Sequence, residues 1–345
     1  MDTKFIVSPT DRILITGSNG FIGAKVVECL LAYGFTNLRL FVRPTSKLAA
    51  FEKILGEFPA GKNTEIISGD LLSCDDCRRA AQDVSIVFHL AAGFDKSFAG
   101  AFMNSALATR NLMDAFLEHG RPKRFVNVSS FAVYSNLTMQ RGALLDETCP
   151  LEDDPQERYD AYGFGKLKQE ELVREYGKNR GLPYVILRPG AVFGPGKPDL
   201  SGRVGINTFG FFIHLGGSNQ LPLTFVDNCA EAIVLAGIKP GVDGEIFNVV
   251  DDELLTSREF LSACKGAKRF FSIWIPYPFA YGLCALWENY SKRSKGQLPP
   301  VFNRRRCSAE WKGNQYSNLK LRQQLGWKPK IKMARAMDLF LGQYK

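Results

Sequence analysis

A chain of 345 residues with 45% hydrophobic and 23% charged side chains has the composition of a folded globular protein, and is long enough for one large core plus a smaller attached one. Low-complexity tracts and solenoid-period repeats do not occur, which excludes arrays and propellers, and the N-terminal apolar stretches are short and broken by Asp11 and Arg12, unlike a secretory leader. The net charge of +9 is local: residues 261–345 hold 17 Lys+Arg against 3 Asp+Glu while the preceding 260 hold 27 against 32, so an anionic partner is expected only at the C-terminal quarter.

After a short lead, the first half alternates β-branched runs with helical stretches. Strands are predicted at Arg12–Thr16, Leu38–Val42, Thr64–Ser68, Ser85–His89 and Arg124–Val128, with helices at Phe21–Tyr33, Ser73–Ala81 and Phe98–His119 between them. A long helix over Glu157–Tyr176 leads into a sixth strand, Tyr184–Leu187. Apolar runs buried on both faces and separated by helices require a parallel, doubly wound α/β sheet of the Rossmann type. From Arg188 onward glycines and prolines multiply. The expected organisation is therefore a nucleotide-binding domain over 1–188 and a smaller, mainly substrate-binding C-terminal domain over 189–345. The chain is expected to return to the first domain around 226–250.

The first strand runs directly into Gly17-Ser18-Asn19-Gly20-Phe21-Ile22-Gly23 and then a helix. The spacing is GxxGxxG, a variant of the GxGxxG dinucleotide fingerprint: Gly17 for the tight turn, Gly20 for approach of a pyrophosphate, Gly23 for packing of helix on strand. The helix N-terminus presents unpaired N–H groups to the anion. Where an NAD site places a carboxylate after the second strand, this chain has Arg43, followed by Ser46 and Lys47. A guanidinium suits a 2′-phosphate, so NADP is expected ahead of NAD.

The eight cysteines are scattered, only Cys74 and Cys77 being close, and none of the three histidines stands in ligand spacing with that pair, so no metal site is expected. Scattered thiols suit a reducing compartment, here the cytoplasm.

Tyr162 and Lys166 open the long helix four residues apart, hence on one face. A phenol with a pKa near ~10 is a poor base at neutral pH, and a neighbouring ammonium favours its ionised form. Around this pair stand further segments in order: Asp70-Leu71, His89-Leu90-Ala91-Ala92, Asn104 before Ala108-Thr109-Arg110-Asn111-Leu112, Val128 to Tyr134, and Arg188 to Gly196. Phe225-Val226-Asp227-Asn228, Ser317 to Lys320 and Leu325 to Pro329 complete the series. Together they resemble the extended short-chain dehydrogenase/reductase family, which includes nucleotide-sugar epimerases, dihydroflavonol-type reductases and 3β-hydroxysteroid dehydrogenases. Ser135 stands where the family's "VSSxxVYG" segment has glycine.

The resemblance covers nearly the whole chain and implies a set of roles. Tyr162 exchanges the proton of the substrate oxygen, Lys166 lowers its pKa and binds the nicotinamide ribose, and Ser130 hydrogen-bonds the reacting oxygen, with Asn104 completing the catalytic set. Gly17, Asn19, Gly20, Phe21, Ile22, Gly23, Arg43, Asp70, Leu71, Ala91, Ala92 and Pro189, with Tyr162 and Lys166, are the expected cofactor contacts. Phe131 and Ala132 follow Ser130 where a sugar-nucleotide dehydratase has Asp-Glu, which disfavours dehydration. The run Gln220 to Phe225 lacks the basic residue that epimerases carry for a substrate diphosphate, although Arg203 and His214 are substitutes. The expected activity is hydride transfer between nicotinamide and a hydroxyl or ketone of a small-molecule substrate. Two readings stand behind it: a nucleotide-sugar epimerase with tightly held NAD, and a cofactor-binding regulator without chemistry.

Phe270–Tyr290 is apolar and aromatic, broken by Pro276 and Pro278, and flanked by Lys268-Arg269 and by Lys292, Arg293, Lys295 and Arg304–Arg306. It is too interrupted for a span of ~20 residues. Two readings remain: core of the second domain, or peripheral membrane contact through 270–306, with Trp274 and Trp287 at the lipid interface and the cations on anionic headgroups. No nucleic-acid module is present, so no nucleic-acid partner is expected. A homodimer built on 98–119 and 157–176 is the assembly common in the resembled family.

Overall fold

A computed structural model describes residues 5–93, 95–197, 200–208, 210–295 and 297–344; the first four residues of the predicted lead lie outside it. The chain opens with β1 (Arg12–Thr16), α1 (Phe21–Ala32), β2 (Leu38–Val42), α2 (Ala49–Glu57), β3 (Glu65–Ser68), α3 (Cys74–Ala81) and β4 (Val84–His89). Then come α4 (Phe98–Ala101), a π turn (Phe102–Leu107), α5 (Ala108–His119), β5 (Arg124–Val128), β6 (Leu144–Leu145), α6 (Ala161–Arg180), β7 (Tyr184–Pro189) and β8 (Ala191–Phe193). Strands β9 (Gly205–Thr208), β10 (Phe211–His214) and β11 (Leu223–Phe225) precede α7 (Val226–Ile238), β12 (Ile246–Val249), α8 (Ser257–Ala267) and β13 (Ser272–Trp274). The last elements are α9 (Tyr277–Arg293), α10 (Arg304–Trp311), β14 (Gln315–Tyr316), α11 (Leu319–Leu325) and α12 (Met333–Gly342).

Seven strands form one parallel sheet in the order β12-β7-β5-β4-β1-β2-β3. Strands β2, β4 and β5 are buried throughout, as a sheet covered on both faces demands, and only the edge strand β3 is largely exposed. One face is packed by α1 and α7 through Val26, Val27, Leu30, Ile233 and Val234. The other is packed by α3, α5 and α6 through Cys77, Leu112, Phe116 and Val173. The strand order reverses between β1 and β4, so the crevice above their C-terminal ends is where such a sheet binds ligands.

After β7 the chain leaves the sheet and twice comes back. Helix α7 and strand β12 rejoin it, and later Leu321, Leu325 and Trp327 enter the same core, the Trp327 indole donating to the carbonyl of Asn228 at 3.2 Å. The smaller body contains the β13-β10-β9 sheet and a core with Phe193, Phe212, Phe260, Met337 and Phe340. Residues 319–327, placed by the sequence reading in the second domain, thus pack with the first.

Two helices differ from expectation. The run from 98 to 119 is not one regular helix: the π turn at Phe102–Leu107 interrupts it. The long helix begins at Ala161, not Glu157. Tyr159 has a φ of 54°, and the Asp160 carboxylate caps the helix by accepting from Gly163 N at 2.8 Å. The buried Arg158 donates to the carbonyls of Tyr134, at 2.9 Å, and Ala132, which holds 157–160 as a turn. The helix runs on past Tyr176 to Gly181, which closes it in the left-handed conformation at φ 66°.

Candidate active site

The glycine loop leaves β1 at the switch point. Gly17 has a φ of 67°, and a Cβ there would stand 2.8 Å from the amide nitrogen of Ala91; one on Gly23 would stand 2.0 Å from the carbonyl oxygen of Gly17. The loop is therefore folded tightly against the end of β4 and against α1. No side chain caps α1, and its first turn has no acidic residue, so its N–H groups stay available to an anion. These are the features a dinucleotide pyrophosphate needs.

Two chambers meet there. One, of about 390 Å³, is lined by Gly17, Asn19, Gly20, Arg43, Asp70, Leu71, Ala91, Ala92 and Asn104. The other, of about 450 Å³, is lined by Ile22, Ala92, Ser130, Tyr162, Lys166 and Pro189. Leu90 and Ala92 line both. Of the expected contacts, only Phe21 and Gly23 line neither chamber: Gly23 is packed behind the loop, and the Phe21 ring lies under the Lys197 ammonium at 5.5 Å. Arg43 is exposed just past β2, beside Thr45 and Ser46. Asp70 uses one carboxylate oxygen to accept from Leu72 N at 2.9 Å, fixing the turn after β3.

Ser130 and Tyr162 are hydrogen-bonded to each other. Burial holds the Tyr162 phenol above its ordinary pKa, the Ser130 bond opposing this. Asn104 is not brought to this pair. It sits in the π turn, lines the glycine-loop chamber, and donates its amide to Asp95 Oδ2 at 2.9 Å. That bond keeps it on the dinucleotide side of the cleft.

Lys166 is buried, and burial lowers its pKa to about 8, Glu170 opposing. Its ammonium donates to the Val128 carbonyl at 2.7 Å and to Gln169 Oε1 at 2.9 Å, leaving one of its three N–H donors for the chamber. Behind it runs a buried chain whose proton directions are determined. The Thr109 hydroxyl donates to the Ser105 carbonyl at 2.6 Å, so it must accept from Gln169 Nε2 and from His89 Nε2, each at 2.8 Å. His89 therefore carries its proton on Nε2 and accepts through Nδ1 from Thr16 Oγ1 at 2.7 Å; Thr16 in turn accepts from Ala91 N at 3.3 Å. Burial pushes the His89 pKa down to about 3, keeping the ring neutral. Lys166 and the glycine-loop strand are thus tied through side chains on β1, β4, α5 and α6.

One turn past Lys166, Glu170 receives Arg188 Nε at 2.9 Å and Nη2 at 2.6 Å, and Arg188 Nη1 donates to Tyr134 Oη at 2.9 Å. This buried bidentate pair locks α6 to β7. Sequence reasoning gave no role to Gln169 or Glu170; their spacing of three and four from Lys166 was the available signal.

Away from Ser130 and Tyr162 the second chamber is walled mostly by apolar side chains, Val192, Phe193, Leu200, Leu223 and Phe260, together with Lys197 and Ser201. A third chamber of about 250 Å³ shares Ser130, Tyr162, Gly190 and Ala191 with it and adds Arg158, Arg203, Arg306 and Glu310. Arg203 is thus beside the site. His214 is not: it is buried between Ser257 Oγ at 3.0 Å and Gly217 N at 3.1 Å. Among the described residues no cluster of His, Cys, Asp and Glu has metal-binding geometry.

A parallel sheet with a glycine loop at its switch point, and a Tyr–Lys helix facing that loop, defines an extended short-chain dehydrogenase/reductase. The chain belongs to the NAD dependent epimerase/dehydratase family, which it matches over residues 13–249. It is 28% identical over 277 residues to an Arabidopsis thaliana 3beta-hydroxysteroid-dehydrogenase/decarboxylase isoform, covering 74% of this chain and 61% of that protein. An uncharacterized UDP-glucose epimerase of Bacillus subtilis is 29% identical, covering 69% of this chain and 76% of its own. The mouse sterol-4-alpha-carboxylate 3-dehydrogenase, decarboxylating, is 24% identical, covering 96% and 90%. Among solved structures, the Bacillus cereus UDP-glucuronic acid 4-epimerase with UDP-glucuronic acid and NAD superposes with a TM-score of 0.71 at 21% identity, covering 96% of this chain and 98% of that one.

Proposed function

We propose that this protein is a nicotinamide-dependent dehydrogenase/reductase interconverting a secondary alcohol and a ketone. The observation that carries this reading is the convergence of Ser130, Tyr162 and Lys166 on one chamber that opens, past Leu90 and Ala92, onto the glycine-loop chamber. The bound cofactor supplies hydride exchange. The chain's own residues place the substrate and move the proton. Tyr162, kept protonated by burial, hands its proton to the carbonyl oxygen in reduction and takes it back in oxidation. Ser130 hydrogen-bonds the same oxygen, and the remaining Lys166 donor serves the ribose while the ammonium charge favours the developing phenolate. The apolar wall of Val192, Leu223 and Phe260 excludes water and suits an alicyclic carbon skeleton, in keeping with the sterol-named relatives.

Family membership and the NAD-bound neighbours support NAD as the general cofactor class. Arg43 on the adenosine side, with no carboxylate between Leu38 and Ser46, supports a preference for the 2′-phosphate of NADP. The test is nicotinamide absorbance during incubation with each dinucleotide and a panel of cyclic secondary alcohols and ketones. Turnover that collapses in Tyr162→Phe supports the proposal; full activity in that variant overturns it.

The third chamber favours one second reading. Arg203 and Arg306 beside Ser130 and Tyr162 would meet an anionic group such as a nucleotide diphosphate, which fits an epimerase. An epimerase would interconvert UDP-sugars with no net change in cofactor absorbance, whereas a regulator would bind the dinucleotide and turn nothing over.

A further inference from the structure

Helix α9 packs inward through Ala280, Cys284, Glu288 and Ser291, and its opposite face is apolar and open. Phe279, Leu283, Leu286 and Tyr290 recur at spacings of four, three and four, and are between 56% and 70% exposed. They make a single stripe about 17 Å long at the ~1.5 Å rise of a helix. Three positions before the start of α9, the edge strand β13 also presents an exposed Trp274, with the Arg258 guanidinium over its ring at 5.7 Å. Single exposed apolar side chains are ordinary, but a contiguous stripe on a helix marks a surface that meets something apolar.

The surrounding charge decides what that is. Between residues 261 and 309 the chain has nine Lys+Arg and one acid, Glu288. Glu288 is turned inward, where hydrogen bonds from Arg304, at 3.0 Å, and Lys292, at 2.9 Å, hold its pKa down to about 2. Neither β13 nor α9 contains another carboxylate. Lys268 and Arg269 lie exposed ahead of β13, and Arg293 and Lys295 at the far end of α9. Two copies meeting face to face through a twofold axis would bring these like charges together. A bilayer with anionic headgroups complements both features: acyl chains for the stripe, phosphates and carboxylates for its basic ends. No described helix is long and apolar enough to cross a membrane, so the helix would lie in the interface plane.

We propose that the outer face of α9, with Trp274 and the basic residues at either end, is a docking surface for an anionic lipid bilayer. Trp287 and Arg305, both expected at the lipid face, are engaged within the protein. The Trp287 indole donates to the Pro299 carbonyl at 3.2 Å and packs against Phe302, so it is not part of the lipid face. Arg305 is engaged by Glu152 at 2.7 Å and Asp153 at 2.9 Å, which removes it from the headgroup contacts.

The experiment is co-sedimentation of the full chain with phosphatidylcholine vesicles, with and without phosphatidylserine. The wild-type protein is expected to pellet with the serine-containing vesicles and to be released by high salt. Leu283→Asp with Leu286→Asp should cut partitioning more than tenfold with only a small fall in melting temperature, because both side chains are more than half exposed and the cost is mainly helix propensity. Lys268→Gln, Arg269→Gln, Arg293→Gln and Lys295→Gln together should weaken binding to anionic vesicles by about fivefold per charge removed near the surface. The proposal is overturned if wild-type protein stays in the supernatant, or if both variants bind as it does. It is equally overturned if wild-type protein is a dimer in sedimentation velocity that the two Asp substitutions convert to monomer, which would make the stripe a self-association surface.

Discussion

Replacing Thr109 by Val is the most direct test of how Lys166 is held. Valine nearly matches threonine in shape, so packing is preserved while the hydroxyl at the junction of three hydrogen bonds is lost. His89 Nε2 and Gln169 Nε2 would then be buried donors without acceptors, since His89 and Gln169 are both enclosed and their other polar atoms are already committed to Thr16 and Lys166. Each stranded donor costs about 1–3 kcal/mol, or about 2–6 kcal/mol for the pair. The added methyl returns about 1 kcal/mol by apolar burial. A net loss of about 1–5 kcal/mol is a large part of a domain's usual ~5–15 kcal/mol. Urea unfolding gives the value, provided the slope is unchanged. Because Thr16 and Ala91 stand at the other end of the chain, KM for the dinucleotide should rise as well. Thr109→Ser keeps the hydroxyl and should lose only the small methyl contribution. A Thr109→Val protein within about 0.5 kcal/mol of wild type, or a Ser variant as damaged as the Val variant, would refute the directed chain.

Tyr162→Phe should reduce turnover by about 10²–10⁴, the usual worth of a placed acid–base group, while dinucleotide affinity by fluorescence titration stays near wild type. Arg43→Ala should weaken NADPH by roughly one to two orders of magnitude and NADH little, since a charge-assisted contact is worth about 1.5–3 kcal/mol; equal losses would assign Arg43 to the loop's structure. Lys166 has a folded-state pKa of about 8, below that of a free lysine, so between those values the unfolded chain binds more protons and stability rises with pH. Melting curves of wild type and Lys166→Met should therefore converge or cross in favour of wild type as pH is raised from neutral towards the ordinary lysine pKa, and a difference that grows the other way would contradict the buried ammonium.

The sequence alone determined the features whose causes are local. The buried strands of the sheet were legible because a strand covered on both faces is mostly apolar instead of alternating, and the runs at 12–16, 38–42 and 124–128 are found at those bounds. The glycine loop was legible because its spacing is set by one turn, and Tyr162 and Lys166 because a spacing of four is one helix face. Tertiary structure decided the rest, since each remaining feature joins residues that local chemistry cannot relate. The start of α6 depends on a buried Arg158 reaching carbonyls more than twenty positions earlier. The side of the cleft that Asn104 faces depends on a π turn and on Asp95, neither marked by periodicity. The proton on His89 is fixed only when Thr16, Thr109 and Gln169 meet around it. In α9, apolar residues occupy both faces of the sequence pattern, so only packing against α10 shows which of them stays exposed.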